Sequence, residues 1–328
     1  MRAYIIKEEN GQLITGVREY PLAPRDGEDV LVKVDYSGLN YKDAMVASAP
    51  SRVRRLEELV GGVDAAGVVE ESSIPGIHAG ERVAVHGGDL GVGRDGGFGT
   101  HVYSPARYLS VLPDSISTRD AMIIGTAGVS AMASVLALED RGLASDASVL
   151  VTGATGGVGS QSVTYLAAKG YQPVASTGSP ENAQWLTERG AVRVVGRSEV
   201  SDRPGRVLGS ELWDGAIDCV GGETLAEILR SLRYGAAVAA SGLVASADLA
   251  TTVYPFITRN VALLGIDVVE ATAETRTRVW SELGAIADQV DFASLVHREI
   301  GLNDLDEALE DVRHGSTRGR ILVALAHA

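Results

Sequence analysis

Four glycines in seven residues, Gly153-Ala154-Thr155-Gly156-Gly157-Val158-Gly159, separate an apolar run, Val149-Leu150-Val151-Thr152, from a helical stretch over Gly157 to Lys169. The chemistry open to such a turn is anion binding. Glycine lets the backbone approach a diphosphate, and the unpaired amides and positive dipole end of the following helix face the charge. A bare glycine motif is only a tight turn; in the order strand, turn, helix it is what a dinucleotide site requires. Gly153, Thr155, Gly156, Gly157 and Val158 are therefore the expected cofactor-binding residues.

The next strand-like run decides which dinucleotide. A site for NAD places Asp or Glu about 20 residues beyond the first glycine to bind the ribose diol. Here that run ends Ala175-Ser176-Thr177-Gly178-Ser179. Ser176, Thr177, Gly178 and Ser179 leave room for a 2′-phosphate, and hydroxyls can donate to it where a carboxylate would repel it. NADPH is favoured over NADH. Arg193, in Gly190-Ala191-Val192-Arg193, is the candidate for the positive charge, with a solvated surface arginine as the alternative.

Other chemistries find little support. The single cysteine, Cys219, forbids an internal disulfide and a four-thiolate zinc site. The six histidines, at 78, 86, 101, 297, 314 and 327, show none of the close pair spacings of a metal site and are expected to be surface or structural. No Gly-x-Ser-x-Gly elbow is present, which leaves a hydrolase unsupported. The glycine-rich segment His86 to Gly99 lacks a following helix, so it reads as a barrel loop lining a cleft rather than a second phosphate cradle.

The elements that must position these residues fall into two groups. From Met1 to about Ser110, short alternating runs such as Val30-Leu31-Val32-Lys33-Val34 and Arg82-Val83-Ala84-Val85 have the texture of a small β-barrel. From Ser148, strand-like and helical runs alternate: Ser148 to Thr152, Gln172 to Ser176, Val192 to Val195, Gly215 to Val220, Ala236 to Ser241 and Val261 to Asp267. That βαβ rhythm implies a doubly wound parallel sheet. A charged helix over Ala271 to Val290, a helix near Leu302 to Arg313 and a strand over Arg320 to Leu325 close the chain. A length of 328 residues agrees with two domains and a cleft between them.

The formal charge of −14 argues against a nucleic-acid partner. No block of about 18 uncharged apolar residues is read, and no leader-like segment opens the chain, so the expectation is a cytoplasmic protein without a membrane partner.

Taken together, the residues resemble the medium-chain dehydrogenase/reductase superfamily, in particular its zinc-free quinone oxidoreductase branch that includes bacterial acryloyl-CoA reductases. The likeness spans nearly the whole chain. It is carried by Ser37-Gly38-Leu39-Asn40-Tyr41-Lys42-Asp43, Gly62-Val63-Asp64-Ala65-Ala66-Gly67, Met122 to Gly128 and Thr152 to Gly159. Gly215 to Gly221, Ser241-Gly242-Leu243 and Thr252 to Asn260 add to it. Two departures, the missing proline in Val60-Gly61-Gly62-Val63-Asp64 and the arginine-rich Ser51-Arg52-Val53-Arg54-Arg55, bear on substrate identity.

The resemblance implies a GroES-like catalytic barrel from residues 1–120 and 266–328 around a Rossmann domain of residues 121–265, and a homodimer. It adds Tyr41, Thr126, Leu243 and Ile257 to the cofactor contacts. Asn40, Arg52 and Phe256 go to the substrate cleft. Zinc members of the superfamily hold the metal with a thiolate where this chain has Leu39 and Asn40, so the resemblance implies no metal. Without a Lewis acid, reduction of an already activated acceptor is the reaction left. Hydride addition to the β-carbon of an enoyl thioester leaves an enolate to be stabilised and protonated. Tyr41 is assigned as proton donor or orienter, with a water as the alternative donor, and Asn40 as a hydrogen-bonding group. Lys42 and Asp43 are expected to form an ion pair bracing the turn. Arg52, Arg54 and Arg55 are candidates to meet the phosphates of CoA, with a solvated charge run as the alternative. A quinone is the alternative acceptor, and an NADPH-binding protein without catalysis is the alternative of another class.

Overall fold

The period-2 runs of the N-terminal third fold as antiparallel strands whose apolar residues point inward. The computed structural model describes residues 1–23 and 29–325, in two units. The first comprises Met1–Ala127, Val268–Ala287 and Asp291–Ala328. Its larger sheet has the order Val296–Ile300, Arg320–Ala324, Asp29–Leu39, Asp64–Glu71, Arg82–His86, Leu109–Val111, with His101–Pro105 also paired to Asp29–Leu39. Gln12–Glu19, Arg2–Glu9 and Glu58–Val60 form a smaller sheet. Ile6, Val30, Val32, Leu59, Val83, Val85, Phe98, Leu305 and Val323 fill the interior. Each such aliphatic or aromatic side chain removed from water contributes roughly 1.5–3 kcal/mol.

The glycine-rich segment packs backbone on backbone. The amides of Gly96, Gly97 and Phe98 donate to the carbonyls of Val60, Gly62 and Gly61 at 2.9, 2.8 and 2.8 Å. A Cβ at Gly96 would lie 2.1 Å from the Gly62 carbonyl oxygen, so no other residue allows that approach. No helix follows this loop.

The second unit, Gly128–Asp267 and Asp288–Val290, holds a six-stranded parallel sheet. The order is Arg193–Gly196, Gln172–Thr177, Ser148–Thr152, Trp213–Asp218, Leu232–Ala240, Ala262–Gly265. Strand order reverses between Ser148–Thr152 and Trp213–Asp218, and such a switch point opens a crevice at the carboxyl ends of the strands. Leu150, Val174, Trp213, Ile228, Leu229 and Val238 are in its core.

The units divide at Ala127/Gly128 and Asp267/Val268, compared with 120/121 and 265/266 read from the sequence. The reason lies in the helix Thr118–Asp140, which is interrupted at Gly125 (φ 51°, ψ −167°). Its first segment is tied to the barrel: Arg320 donates to the carbonyls of Met122 and Ile123, and the Thr126 amide donates to Asp64. This helix also corrects the reading of hydropathy. An 18-residue window in it reaches a mean hydropathy of 1.9, long and apolar enough to cross a membrane by composition alone. With 83% of that window buried and a break inside it, the helix is a core element.

Gly125 adopts a backbone conformation almost closed to other residues, and a Cβ there would meet the Arg320 Nη2 at 2.5 Å and the Asp64 Oδ2 at 2.6 Å. Gly125→Ala is expected to destabilise the protein by at least ~1–3 kcal/mol. Calorimetry would register this as a lowered Tm, and an unchanged Tm would contradict it.

Candidate functional site

The glycine turn follows the strand Ser148–Thr152, and the helix Gly157–Ala168 starts directly after it with Gly156 as N-cap. Gly156 has no side chain to cap the first-turn amides, and it is exposed, while Thr155, Gly157 and Val158 are half-buried. Gly153 takes φ +59°, and a Cβ on Gly159 would stand 2.3 Å from the Gly153 carbonyl oxygen, so the helix seats against the turn only as glycine. From the neighbouring strand, Asp218 accepts from the Thr152 hydroxyl at 2.6 Å and the Gly221 amide at 2.8 Å. The turn is thereby held from below, with its outer backbone open to an anion.

At the end of Gln172–Thr177 the sequence reading needs correction. Ser176 and Thr177 are buried, and the Thr177 Oγ1 accepts the Ser179 amide at 3.0 Å. Only Gly178 and Ser179 reach the surface, and the cation there is not Arg193. Arg193 pairs in register with Val174 at the opposite end of the sheet, and its guanidinium lies over the Trp213 ring at 5.4 Å. Arg197, which directly follows that strand, instead covers Gly178: a Cβ at Gly178 would be 2.4 Å from the Arg197 Nε. Arg197 is exposed and makes no hydrogen bond or ion pair among the described residues. Its signal in the sequence was its place just after a parallel strand, at the nucleotide edge of the sheet.

In the first unit, Asn40 and Tyr41 open the six-residue helix Tyr41–Val46. Tyr41 is 56% exposed, and its phenol has no partner among the described residues. Asn40 is not free for a ligand as expected. Its Nδ2 donates to the Asp64 Oδ2 at 2.7 Å and the Gly38 carbonyl at 3.1 Å, and its Oδ1 accepts from the Arg320 Nη1 at 3.1 Å. Asp43 is buried and accepts from the amides of Asn40 and Val63, at 2.8 and 2.9 Å, in place of an ion pair with Lys42. Burial above all, and then the neighbouring Asp64 charge, push the Asp43 carboxyl up to about 7.

The remaining residues divide. Thr126 gives both its amide and its hydroxyl to Asp64. Leu243 is 65% exposed on the loop that packs against Gly221, at the carboxyl edge of the sheet. Ile257 is 73% exposed on the helix Tyr254–Arg259, whereas Phe256 is half-buried and packs against the core of the second unit. Arg52 and Arg55 are exposed, but Arg54 is half-buried, with its side chain only 3% exposed, and pairs with Glu8 and the carbonyls of Val46 and Ser48. His86 is buried between Arg276 and Trp280; burial, then Arg276, hold its ring neutral with the pKa lowered to about 4. His327 lies outside the described residues. Cys219 is buried, and desolvation pushes its thiol up to about 12. Among the described residues, no three His, Cys, Asp or Glu side chains converge to hold a metal ion.

Residues 26–114 match the family described as the alcohol dehydrogenase GroES-like domain, and residues 157–284 the one described as zinc-binding dehydrogenase. An acrylyl-CoA reductase, AcuI of Ruegeria pomeroyi, is 40% identical over 96% of each chain. YhfP of Bacillus subtilis, provisionally named a quinone oxidoreductase, is 42% identical over 92% of this chain and 91% of its own. The structure of the YhdH oxidoreductase of Salmonella enterica in complex with NADP agrees at a TM-score of 0.94, with 38% identity over 99% of this chain and 100% of that one. That of YhfP with NAD bound also agrees at 0.94. The chain belongs to the medium-chain dehydrogenase/reductase family, in the quinone oxidoreductase branch with the acrylyl-CoA reductases.

A raised carboxyl pKa means that the folded state holds a proton the unfolded chain releases near 3.8. Asp43 therefore contributes stability that is complete below that pH and is lost as pH rises through about 7. The slope between these limits is about 1.4 kcal/mol per pH unit. Urea unfolding of wild type and Asp43→Asn across this window should show the wild type losing stability relative to the variant as pH rises. Parallel curves would mean that Asp43 is ionised throughout.

Proposed function

We propose that the protein is an NADPH-dependent reductase of activated carbon–carbon double bonds, acting on acryloyl-CoA or a related short enoyl-CoA. The single observation that carries this reading is the likeness to AcuI, at 40% identity along 96% of both chains, joined to an open diphosphate turn. The residues present fit NADPH. The exposed Gly156 backbone and the uncapped first-turn amides would hold the diphosphate, and Arg197 with Ser179 the 2′-phosphate. Glycine at 178 leaves the guanidinium room to lie flat.

When bound, the nicotinamide supplies the hydride that adds to the β-carbon of the thioester. The exposed Tyr41 phenol holds the proton for the α-carbon, at an oxygen that no other group engages among the described residues. Asn40, fully engaged by Asp64, Arg320 and Gly38, orients the start of the tyrosine's helix rather than touching substrate. Arg52 and Arg55, exposed and with guanidinium groups that make no hydrogen bond or ion pair among the described residues, are the cations available for CoA phosphates. The active form is a cytoplasmic homodimer, which light scattering would report as twice the 34.2 kDa chain mass. A quinone is the second reading, favoured by the name that YhfP carries.

Side-by-side assays of NADPH oxidation with acryloyl-CoA, crotonyl-CoA and a benzoquinone decide between the acceptors. A higher kcat/KM for the quinone would replace the enoyl-CoA reading, and no oxidation with any acceptor would end both. Tyr41→Phe is expected to lower kcat by about 10²–10⁴-fold with unchanged NADPH affinity, and full turnover would remove the tyrosine from the reaction. Arg197→Ala should raise the KM for NADPH by about tenfold or more and leave that for NADH unchanged. An equal effect on both cofactors would place Arg197 elsewhere than at the 2′-phosphate.

A further inference from the structure

A helix of six residues such as Tyr41–Val46 has no intrinsic persistence, so the direction of the Tyr41 phenol depends on whatever fixes the helix start. That start is held by one side chain from the far end of the sequence. The Arg320 Nη1 donates to the Leu39 carbonyl at 2.8 Å and the Asn40 Oδ1 at 3.1 Å. The Nε of the same guanidinium donates to the Ile123 carbonyl at 3.1 Å, and Nη2 to the Met122 carbonyl at 3.4 Å. Asp64 closes the arrangement, accepting at one oxygen from the Asn40 Nδ2 at 2.7 Å and the Thr126 amide at 2.9 Å, with the Arg320 Nη2 at 3.5 Å. The Asp43 carboxyl group ties the Asn40 amide to that of Val63, the residue before Asp64.

Two glycines make the slot. A Cβ at Gly38 or at Gly125 would each stand 2.5 Å from the Arg320 Nη2. Arg320 is 3% and Asp64 0% exposed. A planar fork with donors on three nitrogens can reach Leu39, Asn40, Met122, Ile123 and Asp64 together, and the single ammonium of lysine cannot.

Resting on the reading that Tyr41 delivers the proton, we propose that Arg320 is a positioning residue for catalysis: through Asn40 and Asp64 it fixes the Asn40–Tyr41 turn to the interrupted helix Thr118–Asp140. Arg320 touches no substrate. Its effect on the reaction passes through the tyrosine.

The test is a double-mutant cycle of Arg320→Lys and Tyr41→Phe, read as kcat and KM with acryloyl-CoA and as NADPH affinity by fluorescence titration. Arg320→Lys alone should lower kcat about 10- to 100-fold, because a displacement of about 1 Å carries a penalty of that size. NADPH affinity should stay within about twofold, and the substitution should cause no further loss when added to Tyr41→Phe. The same fold-loss in both backgrounds would overturn the proposal while leaving the tyrosine's role intact, and so would an unchanged kcat or a loss confined to cofactor affinity. Full activity of Tyr41→Phe alone would overturn both readings, and that single variant separates the two failures. Gly38→Ala, which retains every charged group and displaces the guanidinium with one methyl, should reproduce the pattern. It serves for the same comparison if Arg320→Lys does not fold.

Discussion

The buried ion pair between Asp64 and Arg320 is the constraint on which the first unit depends. Burying two charges costs more than their attraction returns unless their remaining hydrogen-bonding capacity is satisfied. Here it is satisfied by the break in the helix Thr118–Asp140. An interrupted helix leaves carbonyls without partners before the break and amides without partners after it, with opposite partial charges. Arg320 takes the carbonyls of Met122 and Ile123, and Asp64 takes the amide of Thr126. The charges complement the two helix ends as well as each other, and their surplus capacity goes to Asn40 and Leu39. Loss of one partner would leave an uncompensated charge, typically worth 3–5 kcal/mol.

The second unit works by the opposite device, backbone with little side chain. Its carboxyl edge offers amides at the glycine turn, and the groups that hold the turn, Asp218 and Thr152, are buried beneath it. Charge enters only at the margin, where Arg197 lies across Gly178. Such a surface binds the features shared by dinucleotides through its backbone and distinguishes among them through one or two side chains. The relatives with NAD and with NADP bound fit that division.

What could be read from the sequence was local. The strand Ser148–Thr152 and the onset of the helix at Gly157 fall where apolar runs and glycines put them, because adjacent residues determine both. Arg193 and Arg197 are four residues apart on one short segment, and composition cannot say which stands at the nucleotide edge. That follows from strand register, Val174 beside Arg193 and Thr177 beside Gly196. Asn40 looked available because its partner Arg320 lies 280 residues away. Asp43 looked like the mate of Lys42 because proximity along the chain is visible and burial is not. Arg54 misled for the same reason, since the Glu8 that neutralises it is distant in sequence. The uncharged core of Thr118–Asp140 escaped notice because its serines, threonine and glycines interrupt the run of strictly apolar residues, although the mean hydropathy of an 18-residue window still reaches 1.9.

The sealed thiol of Cys219 has a practical corollary. A buried sulfur whose thiol is pushed up to about 12 holds little thiolate at neutral pH and reacts slowly with maleimides, iodoacetamides or peroxide. The native chain therefore offers such reagents only a slow, buried thiol. A cysteine placed at any exposed position becomes a unique attachment point for a fluorophore or spin label, and distances between two such labels can follow the protein as it takes up cofactor.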